Sequence, residues 1–449
     1  MADDDKPVFP PSVIRHPSSC FPMNYTQSLR YLDSFVNLEK LSRLPDNAFF
    51  NLRRMEHLLK ASGHPEKKFF PVLVAGTTGK GSTGFFLESI LKANGIRTGY
   101  YHSPHVEDPR ERIRLQGAMA SKALWAEGLS GIRELLRRSP LPRRLGVLTY
   151  FEITTFLAIL IFAKAGIRVG VFEIGLGGRL DATNVLKAPL VLLTPIHLDH
   201  MAFLGHTVWK IAGEKAAIIK SHGQVVTGRQ SSEALSVIRT AVRKNRGHLW
   251  RAKPLRGMPL GLAGEFQKWN AGMAMKAADV LREHFGFSIT KERSREGLLA
   301  RNWMGRMETF CKSGRIFLLD GAHNPISMAA LVRSLRVAGV KPRFSWLVFG
   351  AMNDKDSRRM LEILSRYFSR VILTGIGSPR AKTSGMLVQE AKGLFKSMLT
   401  SQNVREAFAL VRKVSQPGAR VVITGSFYLV GEMRKLLKTG QRTMRKAQR

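Results

Sequence analysis

Seven short runs rich in Val, Ile, Leu and Phe recur along the 449-residue chain, each closed by glycine or polar residues. They lie at 69–75 (FFPVLVA), 168–174 (RVGVFEI), 189–196 (PLVLLTPI), 316–320 (IFLLD), 345–350 (SWLVFG), 370–374 (RVILT) and 420–424 (RVVIT). Helical patterns such as SMAALVRSLRVAG and DSRRMLEILSRYF usually follow them. Apolar strands alternating with covering helices belong to parallel sheets buried on both faces, so the pattern predicts an α/β protein. Length sets a loose prior of roughly two to four domains. The helical region near 270–300, followed by the strand at 316, places a boundary near 300–305. The expected division is a flexible extension at 1–24, a larger α/β domain at 25–303 and a smaller one at 304–449.

Charge is the unusual bulk property. The chain carries 71 Lys and Arg against 33 Asp and Glu, a formal net charge of +38. Such a field attracts polyanions and anionic surfaces. The basic residues are scattered, with local densities at 133–144, 243–253 and the tail, and no aromatic-interleaved recognition module accompanies them. Specific nucleic-acid binding is therefore not expected. Cys20 and Cys311 stand far apart, outside any CxxC spacing, which supports neither a disulfide framework nor a structural zinc and fits a reducing cytoplasm. The start, MADDDKPVFPPSVIRHPSS, is acidic and then proline-rich, unlike a secretory signal. ITTFLAILIFA at 153–163 is about half the length of a membrane span and reads as a buried core helix.

The chemistry begins at VLVAGTTGKGSTGFF, residues 72–86. A strand, a glycine loop and a helix in that order present successive backbone N–H groups and a helix N-terminus to one anion, with Lys80 as a point charge. The residues look built to hold a nucleotide triphosphate. The general GxxxxGK[ST] spacing is not met, because Val74 stands at its first glycine and Gly81 follows the lysine; a simple glycine turn is the plainer alternative. The other polar motifs also follow predicted strands, and ligands in open α/β sheets bind outside the carboxyl ends of the strands. An active site built from several strand ends is the expectation.

The loop GTTGKGS resembles that of the folylpolyglutamate synthase and dihydrofolate synthase family, a branch of the Mur-ligase-like amide-forming enzymes. Further resemblances follow in order: YHSPHVEDPRERI at 101–113, TYFEITTFLA at 149–158, EIGLGGRLDATN at 173–184, LDHMAFLGHT at 198–207, IAGEKAAIIK at 211–220, WMGRMET at 303–309, DGAHNP at 320–325, FGAMNDKD at 349–356 and GSFYLVGEMR at 425–434. Together they cover about residues 25 to 435. The resemblance implies an N-terminal P-loop Mur-ligase-like domain with a parallel-rich sheet and a Rossmann-like C-terminal domain that closes the ATP and glutamate site. It implies ATP and Mg²⁺, expected as two ions, and leaves a monovalent cation open.

By resemblance, Thr77, Thr78, Gly79, Lys80, Gly81, Ser82, Asn270, Arg306, Asp320 and His323 contact ATP. Ser103, Glu173 and His200 are implied metal ligands, and Lys80, Lys215 and Arg306 catalytic groups. Lys215 matches a lysine that the family carbamylates with CO₂. Thr149, Leu180, Asp181 and Ala182 are the implied substrate contacts. Each has a plainer reading: a strand terminus for Glu173, a helix cap or hydrogen-bonded loop residue for His200, a salt bridge to Glu214 or an exposed helix position for Lys215, and a turn residue for Asp320. The chain departs from frequent family residues at Thr78, His197, Phe266 and Met304, and AFFNLRRM at 48–55 differs from the bacterial pattern near the pterin site.

The implied reaction makes an acyl phosphate that the glutamate nitrogen attacks, with Mg²⁺ and basic groups offsetting charge on the transferred phosphoryl. The expected activity is ligation of L-glutamate to dihydropteroate and to the γ-carboxylate of reduced folates, by a cytoplasmic monomer without membrane contact. Folylpolyglutamate synthesis alone is the alternative. A basic P-loop ATPase bound to nucleic acid is the reading from another class, and it leaves EKAAI and GLGGRLDAT unexplained.

Overall fold

The computed structural model describes residues 22–39, 41, 50–301 and 303–439, so the extension expected at 1–24 lies almost wholly outside the described residues. Among the described residues fourteen strands form two sheets. The first contains β1 (Phe70–Ala75), β2 (Thr98–Tyr101), β3 (Ile113–Leu115), β4 (Ala118–Met119), β5 (Val169–Glu173), β6 (Leu190–Leu193), β7 (Gln224–Thr227) and β8 (His248–Arg251). The second contains β9 (Glu308–Lys312), β10 (Arg315–Leu319), β11 (Ser345–Phe349), β12 (Arg370–Thr374), β13 (Ser397–Ser401) and β14 (Arg420–Thr424).

In the first sheet the strand order is β4-β3-β2-β5-β1-β6-β7-β8, parallel except for β3 and β4 at one edge. In the second it is β13-β12-β11-β14-β10-β9, parallel except for β9. Each of the seven apolar runs forms a strand, offset by no more than a few residues at its ends. β1 shows why the run is apolar throughout. Leu73 and Ala75 pack into the core on one face of the sheet, while Val72 and Val74 pack into that on the other, as the two-residue strand period requires when both faces are covered.

The helix Lys80–Ala93 leaves β1 and is buried on almost every side by β2, β5 and the helices Gln267–Phe285 and Lys291–Gly297. The helix Tyr150–Lys164 is likewise apolar around most of its circumference and buried from Glu152 through Ile159, as the sequence predicts. Among the described residues no helix is long and apolar enough to cross a membrane. The carboxyl ends of the parallel strands of both sheets meet at one cavity of about 420 Å³.

Candidate active site

Every site residue singled out in the sequence lines this cavity. The phosphate loop is held by its backbone. Gly76 has φ +146°, and a Cβ there would fall 1.9 Å from Thr194 Oγ1, so a side chain has neither the conformation nor the room. The N–H groups of Thr77 and Thr78 donate to the Pro195 carbonyl at 2.9 and 3.3 Å, and the Thr77 hydroxyl donates to the His197 carbonyl. These bonds lock the loop to the segment leaving β6. Gly79, at φ +87°, caps the helix Lys80–Ala93 without a side-chain bond, leaving the first-turn N–H groups to an anion. Asn270 presses on the same glycine: a Cβ at Gly79 would lie 2.5 Å from Asn270 Oδ1.

Glu173 ends β5 as a buried carboxylate, 3.9 Å from Lys80 Nζ. Burial raises its pKa, against the pull of Lys80 and Arg306, and the Ser103 N–H donates to it. His200 has φ +49° and begins the short helix Met201–Leu204, but its side chain makes no capping bond. Burial, then the charge of Lys355, lowers its pKa to about 3, so the imidazole is neutral with a lone pair to offer. Lys215, on the helix Val208–Ala216, is 6% exposed and has no hydrogen-bonded or ion-pair partner among the described residues. Glu214 pairs with Arg179 instead. Burial, then the nearby Lys80 charge, pulls the Lys215 pKa down to about 7.

The second sheet contributes the opposite wall. Arg306 lies 4.5 Å over the Phe427 ring and approaches the phosphate loop, its Nη2 being 3.5 Å from where a Gly81 Cβ would stand. Asp320 accepts from the Met307 and Ala322 N–H groups at 3.0 and 2.9 Å, so it shapes its own turn while facing the cavity. His323 Nδ1 is 2.8 Å from the Gly321 carbonyl, and burial followed by Lys355 lowers its pKa to about 4.

Two of the implied substrate contacts have structural work of their own. Thr149 caps the helix Tyr150–Lys164 in a reciprocal box with Glu152, whose carboxylate also pairs with Arg54 at 2.8 Å. Asp181 accepts from the N–H groups of Gly175, Leu176 and Thr183 and from the Thr183 hydroxyl, which folds the glycine-rich turn after β5. Leu180 and Ala182 flank it on the cavity wall.

Residues 305–427 match the family model described as Mur ligase, glutamate ligase domain. A folylpolyglutamate synthase of Lacticaseibacillus casei is 30% identical over 93% of this chain and 100% of its own length. The chain belongs to the folylpolyglutamate synthase and dihydrofolate synthase family. A dihydrofolate synthase/folylpolyglutamate synthase of Bacillus subtilis is 32% identical over 86% of this chain and 95% of its own. Among solved structures, Mycobacterium tuberculosis folylpolyglutamate synthase complexed with ADP and AMPPCP superposes with a TM-score of 0.82 at 29% identity, covering 92% of this chain and 98% of that one. E. coli FolC in complex with DHPP and ADP gives 0.79 at 27% identity, covering 93% and 99%. The chain is thus an ATP-dependent ligase of the Mur ligase family with a nucleotide site.

Several cavity residues of this synthase-family chain were not singled out in its sequence. Asp199 accepts from Lys355 Nζ at 3.1 Å and from Asn324 Nδ2 at 3.3 Å, so it ties the loop after β6 to two loops of the second sheet. Although burial opposes its charge, His200, Lys355 and His323 hold the Asp199 carboxyl well below its usual range. Arg380 reaches Asp354 and the Glu39 carbonyl. The signal was present in the motifs LDHMAFLGHT and FGAMNDKD, which contain Asp199, Asp354 and Lys355. Among the described residues no three or more His, Cys, Asp or Glu gather as an all-protein metal cage. One buried carboxylate with a hydroxyl beside a nucleotide loop suits Mg²⁺, which keeps water and phosphate oxygens as its other ligands, whereas the neutral imidazole of His200 is an uncommon ligand for so hard a cation.

Proposed function

We propose that this chain joins L-glutamate to dihydropteroate and to the γ-carboxylate of reduced folates, using ATP through an acyl phosphate. The observation that carries the reading is convergence: the phosphate loop, Glu173, Lys215 and Arg306 come from separate elements of both halves and face one cavity. The two activities in the name of the Bacillus subtilis relative and the DHPP-bound E. coli structure favour the two-acceptor form. In this reading residues 25–303 bind ATP and the pteroate or folate, residues 304–449 close the ATP and glutamate site, and the enzyme works as a cytoplasmic monomer. The exposed free thiol of Cys311 suits a reducing compartment.

Thr77 to Ser82 hold the ATP phosphates through backbone N–H groups and Lys80, with Asn270, Asp320 and His323 completing the nucleotide site. Arg306, braced on Phe427, offsets the charge that grows on the transferred phosphoryl. Ser103, Glu173 and His200 would hold Mg²⁺, which supplies charge neutralisation between the phosphates. Leu180, Asp181, Ala182 and Thr149 form the acceptor wall, two of them by shaping the backbone there. Lys215 is the proposed carbamate. With its pKa near 7, a sizeable share of the side chain is neutral amine at neutral pH. The Nζ lone pair of that neutral amine adds to the carbon of CO₂ and one N–H proton leaves to water, which leaves an anionic carbamate where the protonated side chain is an unpaired buried cation.

The test is incorporation of labelled glutamate coupled to ATP loss, with dihydropteroate, with tetrahydrofolate and with neither. Incorporation on both acceptors is expected. Incorporation on tetrahydrofolate alone narrows the activity to polyglutamylation, and none on either overturns the proposal.

A further inference from the structure

Tyr100 sits at the end of β2, fully buried, with its hydroxyl between two parts of the site. The phenol donates to the Gly81 carbonyl at 3.0 Å and stands 3.4 Å from Glu173 Oε2. A tyrosine fits there because residue 84 is glycine. A Cβ at Gly84 would lie 2.6 Å from Tyr100 Cε2, Cζ and Oη, so the helix that begins at the phosphate loop leaves a slot of ring thickness. Trp303 closes the slot from the segment joining the two sheets. Its ring is 5.7 Å from Tyr100 and stacks on Phe85 at 4.8 Å, with Arg114 5.5 Å above both Phe85 and Trp303. Gly81 is where these groups meet: a Cβ there would be 3.5 Å from Glu173 Oε2, Arg306 Nη2 and Trp303 Cζ2 alike.

We propose that Tyr100 is a positioning residue for cation binding, its hydroxyl fixing the Glu173 carboxylate against the phosphate loop. The inference rests on the proposed role of Glu173. A phenol has one proton to give, and its two acceptors here are a loop carbonyl and a carboxylate oxygen. Sharing that proton ties the orientation of Glu173 to the position of Gly81, so the carboxylate and the phosphate-binding backbone stay in register. A carboxylate presented to a metal is commonly held in this way by a donor behind it, and losing such a partner weakens metal binding about tenfold or more.

The test uses the full chain and Mn²⁺ as the probe, titrated by electron paramagnetic resonance in the presence of saturating ADP, with ADP affinity measured separately without metal. Tyr100→Phe keeps the ring in its slot and removes only the hydroxyl. Mn²⁺ binding is expected to weaken about tenfold, with metal-free ADP affinity changing far less and the melting temperature only slightly lowered by the lost buried hydrogen bond. Unchanged Mn²⁺ affinity overturns the inference, and so does an equal loss of metal-free ADP affinity, which would mark a purely structural role. If Tyr100→Phe does not fold, Tyr100→Gln supplies a hydrogen-bond donor without the ring, and failure of a folded Tyr100→Gln to hold Mn²⁺ better than Tyr100→Leu also overturns it. A wild-type chain that binds no Mn²⁺ with ADP would instead refute the metal role of Glu173.

Discussion

Replacing Lys215 by methionine should make the protein more stable while abolishing its ligase activity. The folded pKa of about 7 lies some 3.5 units below the ordinary value of 10.5, and each unit corresponds to about 1.4 kcal/mol. The sign follows from proton counting: between pH 7 and 10.5 the unfolded chain binds more protons at this position than the folded one, so wild-type stability rises with pH across that window. The cost of the buried ammonium is therefore full below pH 7 and gone above 10.5. At pH 7 it amounts to about 4 kcal/mol if nothing relaxes, and because the side chain borders a cavity we expect roughly 2 to 4 kcal/mol of it to be measured. Urea unfolding in CO₂-depleted buffer at pH 6.5 should show Lys215→Met more stable by that amount, and at pH 10 by less than about 1 kcal/mol. Adding bicarbonate at pH 8 should stabilise the wild type and leave Lys215→Met unmoved. Equal stabilities of the two proteins at pH 6.5 would refute the claim that an unpaired ammonium is buried there.

Gly76→Ala should weaken ADP binding at least about tenfold by calorimetry, since the loop must move to relieve a 1.9 Å contact at positive φ. Lys355→Met leaves Asp199 without its ion-pair partner from the second sheet, and kcat/KM for glutamate should fall about a hundredfold while ADP affinity stays within about threefold. Thr149→Ala removes a helix cap and should cost about 1 to 2 kcal/mol in urea unfolding. A tenfold rise in the acceptor KM with unchanged stability would instead make Thr149 a substrate contact.

The strands that the sequence shows plainly are the runs of large apolar residues buried on both faces. β2, β7 and β8 are no shorter than β6, but TGYY, QVVT and HLWR break the aliphatic run that LVLL keeps, and their pairing depends on neighbours distant in sequence. The antiparallel β9 was missed for a related reason: its inward and outward residues alternate in burial, and Cys311 and Lys312 dilute the apolar count. The site was legible where residues cluster in a motif, as in the phosphate loop, and less so where a residue acts across the two halves. Asp199 and Lys355 are 156 positions apart and become partners only when both sheets are in place. Thr149 teaches the reverse lesson. TYFE already carried the Thr-x-x-Glu pattern of a capping box, and the cap is what its hydroxyl forms.

The position of β1 bears on how this protein is made. The strand that feeds the phosphate loop is flanked by β5 and β6, whose residues follow it by roughly a hundred positions. At ribosomal rates of about 5 to 20 residues per second, that stretch takes about 5 to 20 seconds to emerge. Throughout that interval the apolar strand Phe70–Ala75 has no sheet to cover it, and the apolar helix Tyr150–Lys164 joins it uncovered near the end. The nascent chain should accordingly lean on chaperones most heavily before residue 193 clears the exit tunnel, and slowing translation within 100–190 should lower the soluble yield without changing the enzyme that results.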